Sequence, residues 1–231
     1  MNQAINHGTT RATNLPLNRA IHRSVIVLAV VLLSACGSNS SSDDVAGPVV
    51  KVTELAAGTY AVSVGDAANP SAGTYYAAAD GSRLLVLNNS AEQASTLYRR
   101  DAGGAWRMTP APTQNISMEL LNSNLATSSV ISISGIARSY AVRLPSGAAA
   151  AFSINAGGDI VAGGTSCKLS GKVLASALPN TLKASLAASG CGDLPAQSEG
   201  YLVVDSDYAP AAFRLLTYSG SALTDLWAYA E

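Results

Sequence analysis

Only two histidines occur in the 231 residues, His7 and His22. A Ser-His-Asp or Cys-His catalytic unit uses an imidazole as its proton carrier, so nothing after residue 22 can build one. Cysteine is almost as scarce, with Cys36, Cys167 and Cys191 the only three. Without histidine beside them, these do not make up the four-ligand sets usual for structural zinc. The G-x-S-x-G elbow, the Gly-rich loop ending in Lys-Ser/Thr and the S-x-x-K pair are all missing. We therefore expect no enzyme, no metal and no other cofactor.

A long apolar run is missing too. The longest, Val25 to Ala35, is followed by Cys36, Gly37 and a serine tract. A membrane-crossing helix needs about 20 apolar residues, so this run is too short to span. Asp and Glu are absent from residues 1–42, while Arg11, Arg19 and Arg23 precede the run. A basic stretch, a short apolar run and small residues, in that order, make a secretory signal.

The end of the run is more specific. Leu33-Ser34-Ala35-Cys36 resembles the lipobox of bacterial lipoproteins. The resemblance implies that residues 1–35 are a signal peptide, and that Cys36 is acylated and becomes the N-terminus. Two acyl chains and an N-acyl group then anchor the protein, where one chain holds only marginally. Gly37 after the cysteine, rather than Asp, implies the outer membrane of a Gram-negative cell. Residues 36–48 carry the acylated cysteine and a Ser-rich stretch ended by Pro48. They form a flexible tether spanning ~20 Å.

Removal of residues 1–35 takes away all three N-terminal arginines. What remains has 11 basic and 15 acidic residues, a formal net charge of −4. A nucleic-acid binder needs a basic stripe along the phosphates, so no nucleic-acid partner is expected. Two cysteines are left, Cys167 and Cys191. In an oxidising compartment an even pair becomes a disulfide.

From residue 49 the chain breaks into short runs divided by Gly, Asp, Asn and Pro. Examples are 59–64, 74–79, 83–89, 95–100, 128–134, 139–144 and 181–189. Spacing near ten residues with such punctuation predicts an all-β, antiparallel fold, a barrel or sandwich of short strands. Asp80-Gly81 predicts one hairpin, and the turn 101–104 another. Alternation is clearest in Leu182 to Leu186 and in Ile131 to Ser134. Residues 116–126 and the alanines at 148–151 could instead form short helices. Gly73-Thr74-Tyr75 with Arg83-Leu84-Leu85 is echoed by Gly200-Tyr201 with Arg214-Leu215-Leu216. If that echo reflects two related halves, the division of the domain at 49–231 falls near 145–148.

Residues 160–231 are also similar to a wider group of small β-rich bacterial lipoproteins. The shared features are Cys167 to Gly171, Cys191, Gly200-Tyr201 and the Leu-rich strand from Arg214 to Tyr218. That resemblance implies a small barrel or sandwich.

Several side-chain groups are candidates for a site. Arg99, Arg100, Trp106 and Arg107 form the one basic, aromatic cluster, suited to an anionic glycan or lipid headgroup. If 95–100 and 105–109 pair, Arg99 or Arg100 lies across from Arg107. Asp205, Asp207 and Asp225 could offer oxygens to calcium, or form solvated turns. Seven tyrosines (75, 76, 98, 201, 208, 218 and 229) with Trp106 and Trp227 could line a surface or pack in strands.

The expected function is an outer-membrane-anchored lipoprotein whose β-domain is a binding or structural envelope module. Its partners are the membrane, through the lipid anchor, and an envelope protein or glycan. Two alternatives stay open. One is a barrel carrying a small apolar ligand inside. The other is a glycan hydrolase built on carboxylates ~5–10 Å apart, drawn from Asp80, Glu119, Asp159 and Glu199.

Overall fold

The computed structural model describes residues 47–231; the expected signal peptide at 1–35, Cys36 and most of the expected tether lie outside the described residues. The described chain is an antiparallel all-β fold with one parallel exception. Its first half gives β1 (Val50–Val52), β2 (Gly58–Asp66), β3 (Asn69–Ala77), β4 (Arg83–Asn88), β5 (Ala94–Arg100), β6 (Arg107–Thr109), β7 (Ile116–Met118) and β8 (Leu120–Ala126). Six of these form an open sheet in the order β6-β5-β4-β3-β2-β8, and β1 pairs with β7 in parallel. The second half gives β9 (Ser139–Arg143), β10 (Ala149–Ile154), β11 (Asp159–Ala162), β12 (Lys168–Ala175), β13 (Thr181–Ser189), β14 (Gln197–Val203), β15 (Phe213–Ser219) and β16 (Ala222–Ala230). These eight follow one another around a closed barrel, and β16 pairs with β9 to shut it.

Both expected hairpins form. Asp80-Gly81 turns β3 into β4, with Asp80 Oδ1 accepting from the Ser82 amide at 2.8 Å. Residues 101–104 join β5 to β6. Other expectations need correction. Residues 116–126 and 149–151 are strands, not helices. Residues 128–134, despite the alternation of Ile131 and Ile133, form no strand. Ser132 Oγ accepts from the Gly135 amide at 3.1 Å, and a single 3-10 turn follows at Ser134–Ile136. A short hydroxyl side chain bonding its own backbone competes with a sheet ladder. The isoleucines are spent otherwise: Ile131, Ile133 and Ile136 pack onto the barrel core.

The division near 145–148 also moves. Those residues are the turn between β9 and β10 inside the barrel, whereas the change from open sheet to barrel falls within 127–138. The two halves have different topologies but belong to one compact unit. The glycines of the echo share a close approach that Gly158, Gly163 and Gly171 of the barrel also show. Gly73 and Gly200 both lie where a Cβ would run into the carbonyl of the neighbouring strand, Val86 and Leu216 respectively.

Three apolar layers explain the burial pattern. Strand β4 and the end of β3, Tyr75 to Ala77, read as apolar runs because they are covered on both faces. Tyr75, Leu85, Leu87 and Tyr98 face the β1–β7 ribbon, with Val50, Val52 and Trp106. Tyr76, Leu84, Val86 and Leu97 face the barrel, where they meet Tyr201, Val203 and Leu216. The barrel interior is filled by side chains, among them Leu169, Val173, Leu182, Leu202, Leu215 and Leu226. Tyr140 stacks edge-on to Phe213 at 4.6 Å and donates its hydroxyl to the Ile136 carbonyl at 2.8 Å. The open outer face of β12 and β13 carries Lys168, Lys172 and Lys183. Membrane barrels have polar interiors; the interior of this barrel is apolar. No helix among the described residues is long and apolar enough to cross a membrane.

A buried ion pair fixes the sheet to the barrel. Arg214 leaves β15 on the barrel's outer side, yet its residue is only 1% exposed because the sheet covers it. Its Nε donates to Asp225 Oδ1 at 3.1 Å, Nη2 donates to Asp225 Oδ2, and Nη2 reaches Asn88 Oδ1 on β4 at 3.3 Å. Asp225 Oδ2 accepts from the Ala94 amide of β5 at 2.8 Å. The guanidinium lies over Trp227 at 4.6 Å. Burial works against its charge, but the hydrogen bonds and charge of Asp225 outweigh that and hold its pKa above the ordinary value.

Candidate functional site: a basic groove between sheet and barrel

Strand parity splits the basic cluster at 99–107 between the two faces of the sheet. Arg100 and Trp106 lie on the ribbon side. There Glu54 takes both guanidinium nitrogens of Arg100, at 2.7 and 2.9 Å, and the Trp106 indole N–H at 3.2 Å. Arg83 Nε stands 3.3 Å from the same carboxylate, and Arg100 also donates to the Gly81 carbonyl at 3.1 Å. Arg100 and Trp106 are thus committed to Glu54 on the face away from the barrel.

Arg99 and Arg107 lie on the barrel side, directly opposite each other in the β5–β6 pair. Two like charges in that position repel, so something must hold them there. Arg99 donates to Thr109 Oγ1 at 2.9 Å, and its guanidinium rests 3.6 Å from the centre of the Tyr218 ring. Stacking of this kind is weak when exposed and grows with desolvation. Arg107 is exposed.

Below them the barrel presents one row across its strands. Asp159 pairs with Lys172, Lys172 with Ser185, Ser185 with Glu199, and Glu199 with Tyr218. The neighbouring row sets Lys183 beside Tyr201. The space between sheet and barrel is an open groove of about 340 Å³. Four cations line it, Arg99, Arg107, Lys172 and Lys183, against two acids, Asp101 and Glu199. Lys172 Nζ also pairs with Asp159 outside the groove at 2.6 Å. That hydrogen bond, with one from Asn155, holds the Asp159 carboxyl below its usual range. Lys183 stands 4.0 Å from Asp101. Tyr218 and Tyr201 form the inner wall, and burial raises the pKa of both hydroxyls.

The groove thus combines Arg99 and Arg107 of the basic cluster with Tyr201, Tyr218 and Glu199, which the sequence offered for other roles, and with Lys172 and Lys183, which it did not single out. Lys172, Lys183, Glu199 and Tyr218 come from the barrel, 65 or more positions along the chain from Arg107. The alternation from Leu182 to Leu186 does turn Lys183 outward; which element it faces depends on how the sheet docks.

The other candidates are placed as follows. Cys167 and Cys191 stand at disulfide distance, with S–S 2.09 Å, joining the base of β12 to the end of β13. Asp225 is committed to Arg214, and Asp205 accepts from the Asp207 amide at 3.1 Å as the cap of a short turn. Among the described residues no group of three or more His, Cys, Asp or Glu is placed to hold a metal ion. Of the tyrosines, 75, 76, 98 and 201 are buried in packing, and Tyr208 stacks on Trp227 at 5.1 Å. Asp159 and Glu199 lie three strand spacings apart in the same row. At about 4.8 Å per spacing that is about 14 Å, beyond the reach of a glycosidase pair. Asp80 sits in the β3–β4 turn and Glu119 between β7 and β8.

No family model, curated protein or solved structure matches this chain.

Proposed function

We propose that the chain is an outer-membrane-anchored lipoprotein whose β-domain binds an anionic glycan in the groove between sheet and barrel. The observation that carries the binding reading is the convergence of Arg99, Arg107, Lys172 and Lys183 in a domain with net negative charge. The two acids in the groove choose between ligands. Asp101 and Glu199 repel a compact phosphate, but they accept hydrogen bonds from the hydroxyls of a uronic-acid sugar while the cations take its carboxylates. The buried apolar side chains that fill the barrel interior favour this reading over a carrier of apolar ligands. The membrane part of the reading rests on the lipobox at Leu33 to Cys36 and its basic, apolar lead-in.

The test is a calorimetric titration of the full-length, detergent-extracted protein with a galacturonic-acid hexamer. Neutral maltohexaose and vesicles containing phosphatidylglycerol serve as comparisons. Binding of the acidic hexamer alone is expected, weakened at least tenfold in the Arg107→Ala/Lys183→Ala variant and falling with salt. Equal binding of neutral and acidic sugar, preference for the vesicles, or no change in the variant would refute it.

A further inference from the structure

We propose that two copies of the chain pair through β8, antiparallel about Ser123, so that the open sheet continues from one copy into the other. This surface is separate from the groove and does not depend on it.

The sheet has two edges, and the sequence treats them differently. Unpaired strand edges invite other chains, and proteins blunt them with short strands, charge or proline. The β6 edge has all three: it is three residues long, starts at Arg107 and is followed by Pro110. The β8 edge has none of them. It runs for seven residues, Leu120–Ala126, without a charge or proline, and it pairs only with β2. Its partner β2 carries no charge before Asp66, so two copies can approach without like-charge repulsion. Residues 121–125 are all exposed, with Leu121 at 48% and Leu125 at 72%. A shift of register sets Leu121 apart from β2, leaving 122–126 in unbroken ladder.

The sequence itself names the occupant. Leu121-Asn122-Ser123-Asn124-Leu125 reads the same in both directions. In an antiparallel pair of identical strands centred on Ser123, Leu121 meets Leu125 of the second copy and Asn122 meets its Asn124. Ser123 meets itself on the two-fold axis. Each apolar residue thus finds an apolar partner and each amide an amide, which is what a self-complementary two-fold interface requires.

The test uses the full-length protein in detergent at less than one chain per micelle. Light scattering corrected for detergent is expected to give twice the chain mass at micromolar protein. Ser123→Lys, which adds the charge this edge lacks, is expected to give the single-chain mass with an unchanged circular dichroism spectrum. A second variant guards against a misfolded lysine form. Facing residues of an antiparallel pair have Cβ atoms close to disulfide reach. Ser123→Cys should therefore cross-link under mild oxidant at least fivefold more than Asn69→Cys, an exposed position at the start of β3. A single-chain mass for the unmodified protein overturns the proposal. So does a dimer that Ser123→Lys leaves intact, or equal cross-linking of the two cysteine variants.

Discussion

Replacing Asp225 by alanine strips the counter-charge from a guanidinium that the sheet seals against the barrel. Arg214 is 1% exposed, and its remaining contacts are Asn88 Oδ1 at 3.3 Å and the rings of Trp227 and Tyr208. Removing one partner of a buried ion pair costs about 3–5 kcal/mol, because the other charge stays buried without compensation. The Ala94 amide also loses its acceptor, a further ~1–3 kcal/mol if water cannot reach it. A total near ~5 kcal/mol is a large share of the ~5–15 kcal/mol stability of an ordinary domain. Urea unfolding followed by tryptophan fluorescence reads this directly, since Trp227 lies against the pair. With a slope of about 2 kcal/mol per molar urea, the midpoint should fall by about 2.5 M. The double change Arg214→Met/Asp225→Leu removes both charges and should recover much of the loss. A midpoint shift under ~0.5 M for Asp225→Ala, or a double variant as weak as the sum of its parts, would refute the view that this pair fixes the sheet to the barrel.

Further outcomes are expected. Burial holds the hydroxyls of Tyr75, Tyr76, Tyr98, Tyr140, Tyr201 and Tyr218 above the usual phenol value, with Tyr75 pushed up to about 12. The folded state therefore binds these protons more tightly than the unfolded chain does. Their contribution to stability is complete below about pH 10 and is lost as pH rises through the folded values. Absorbance at 295 nm should show these six ionising together with loss of near-ultraviolet dichroism; free titration in the intact fold would contradict this. Gly200→Ala sets a Cβ 2.8 Å from Thr217 Cα and against the Leu216 carbonyl, and should cost about 1–3 kcal/mol. Gly164→Ala, with nothing within 4 Å, should stay within about 0.5 kcal/mol of the parent by the same urea assay. Cys167→Ser/Cys191→Ser frees a loop with sequence separation 24 and should lower stability by about 3 kcal/mol in the chain-entropy model, read as a lower urea midpoint.

Much of the local structure was legible because it depends on neighbours in sequence. Asp80-Gly81 makes its turn from its own backbone freedom and the Asp80 carboxylate. Alternation in Leu182 to Leu186 marks a strand with one face in a core. What was not legible depends on partners far along the chain. Ile131 and Ile133 alternate like a strand but pack onto the barrel from an irregular segment. The parallel pair of Val50–Val52 with Ile116–Met118 joins residues 66 positions apart. The basic cluster was visible as a cluster, but its division was not. Successive side chains in a strand point to opposite faces, so Arg99 and Arg100 had to separate. The choice of Arg99 for the groove follows from the barrel lying on that side, and from Glu54 claiming Arg100 on the other.

The most direct measurement is the intact mass of the protein extracted in detergent from its native cell envelope, with thiol alkylation before and after reduction. A mass beginning at Cys36 and carrying acyl chains, with Cys167 and Cys191 alkylated only after reduction, is the expected result. It would place the groove outside the inner membrane, within reach of envelope glycans. An unprocessed N-terminus beginning at or near Met1, or two freely alkylated thiols, would contradict the anchored, disulfide-closed lipoprotein and with it the proposed setting of the site.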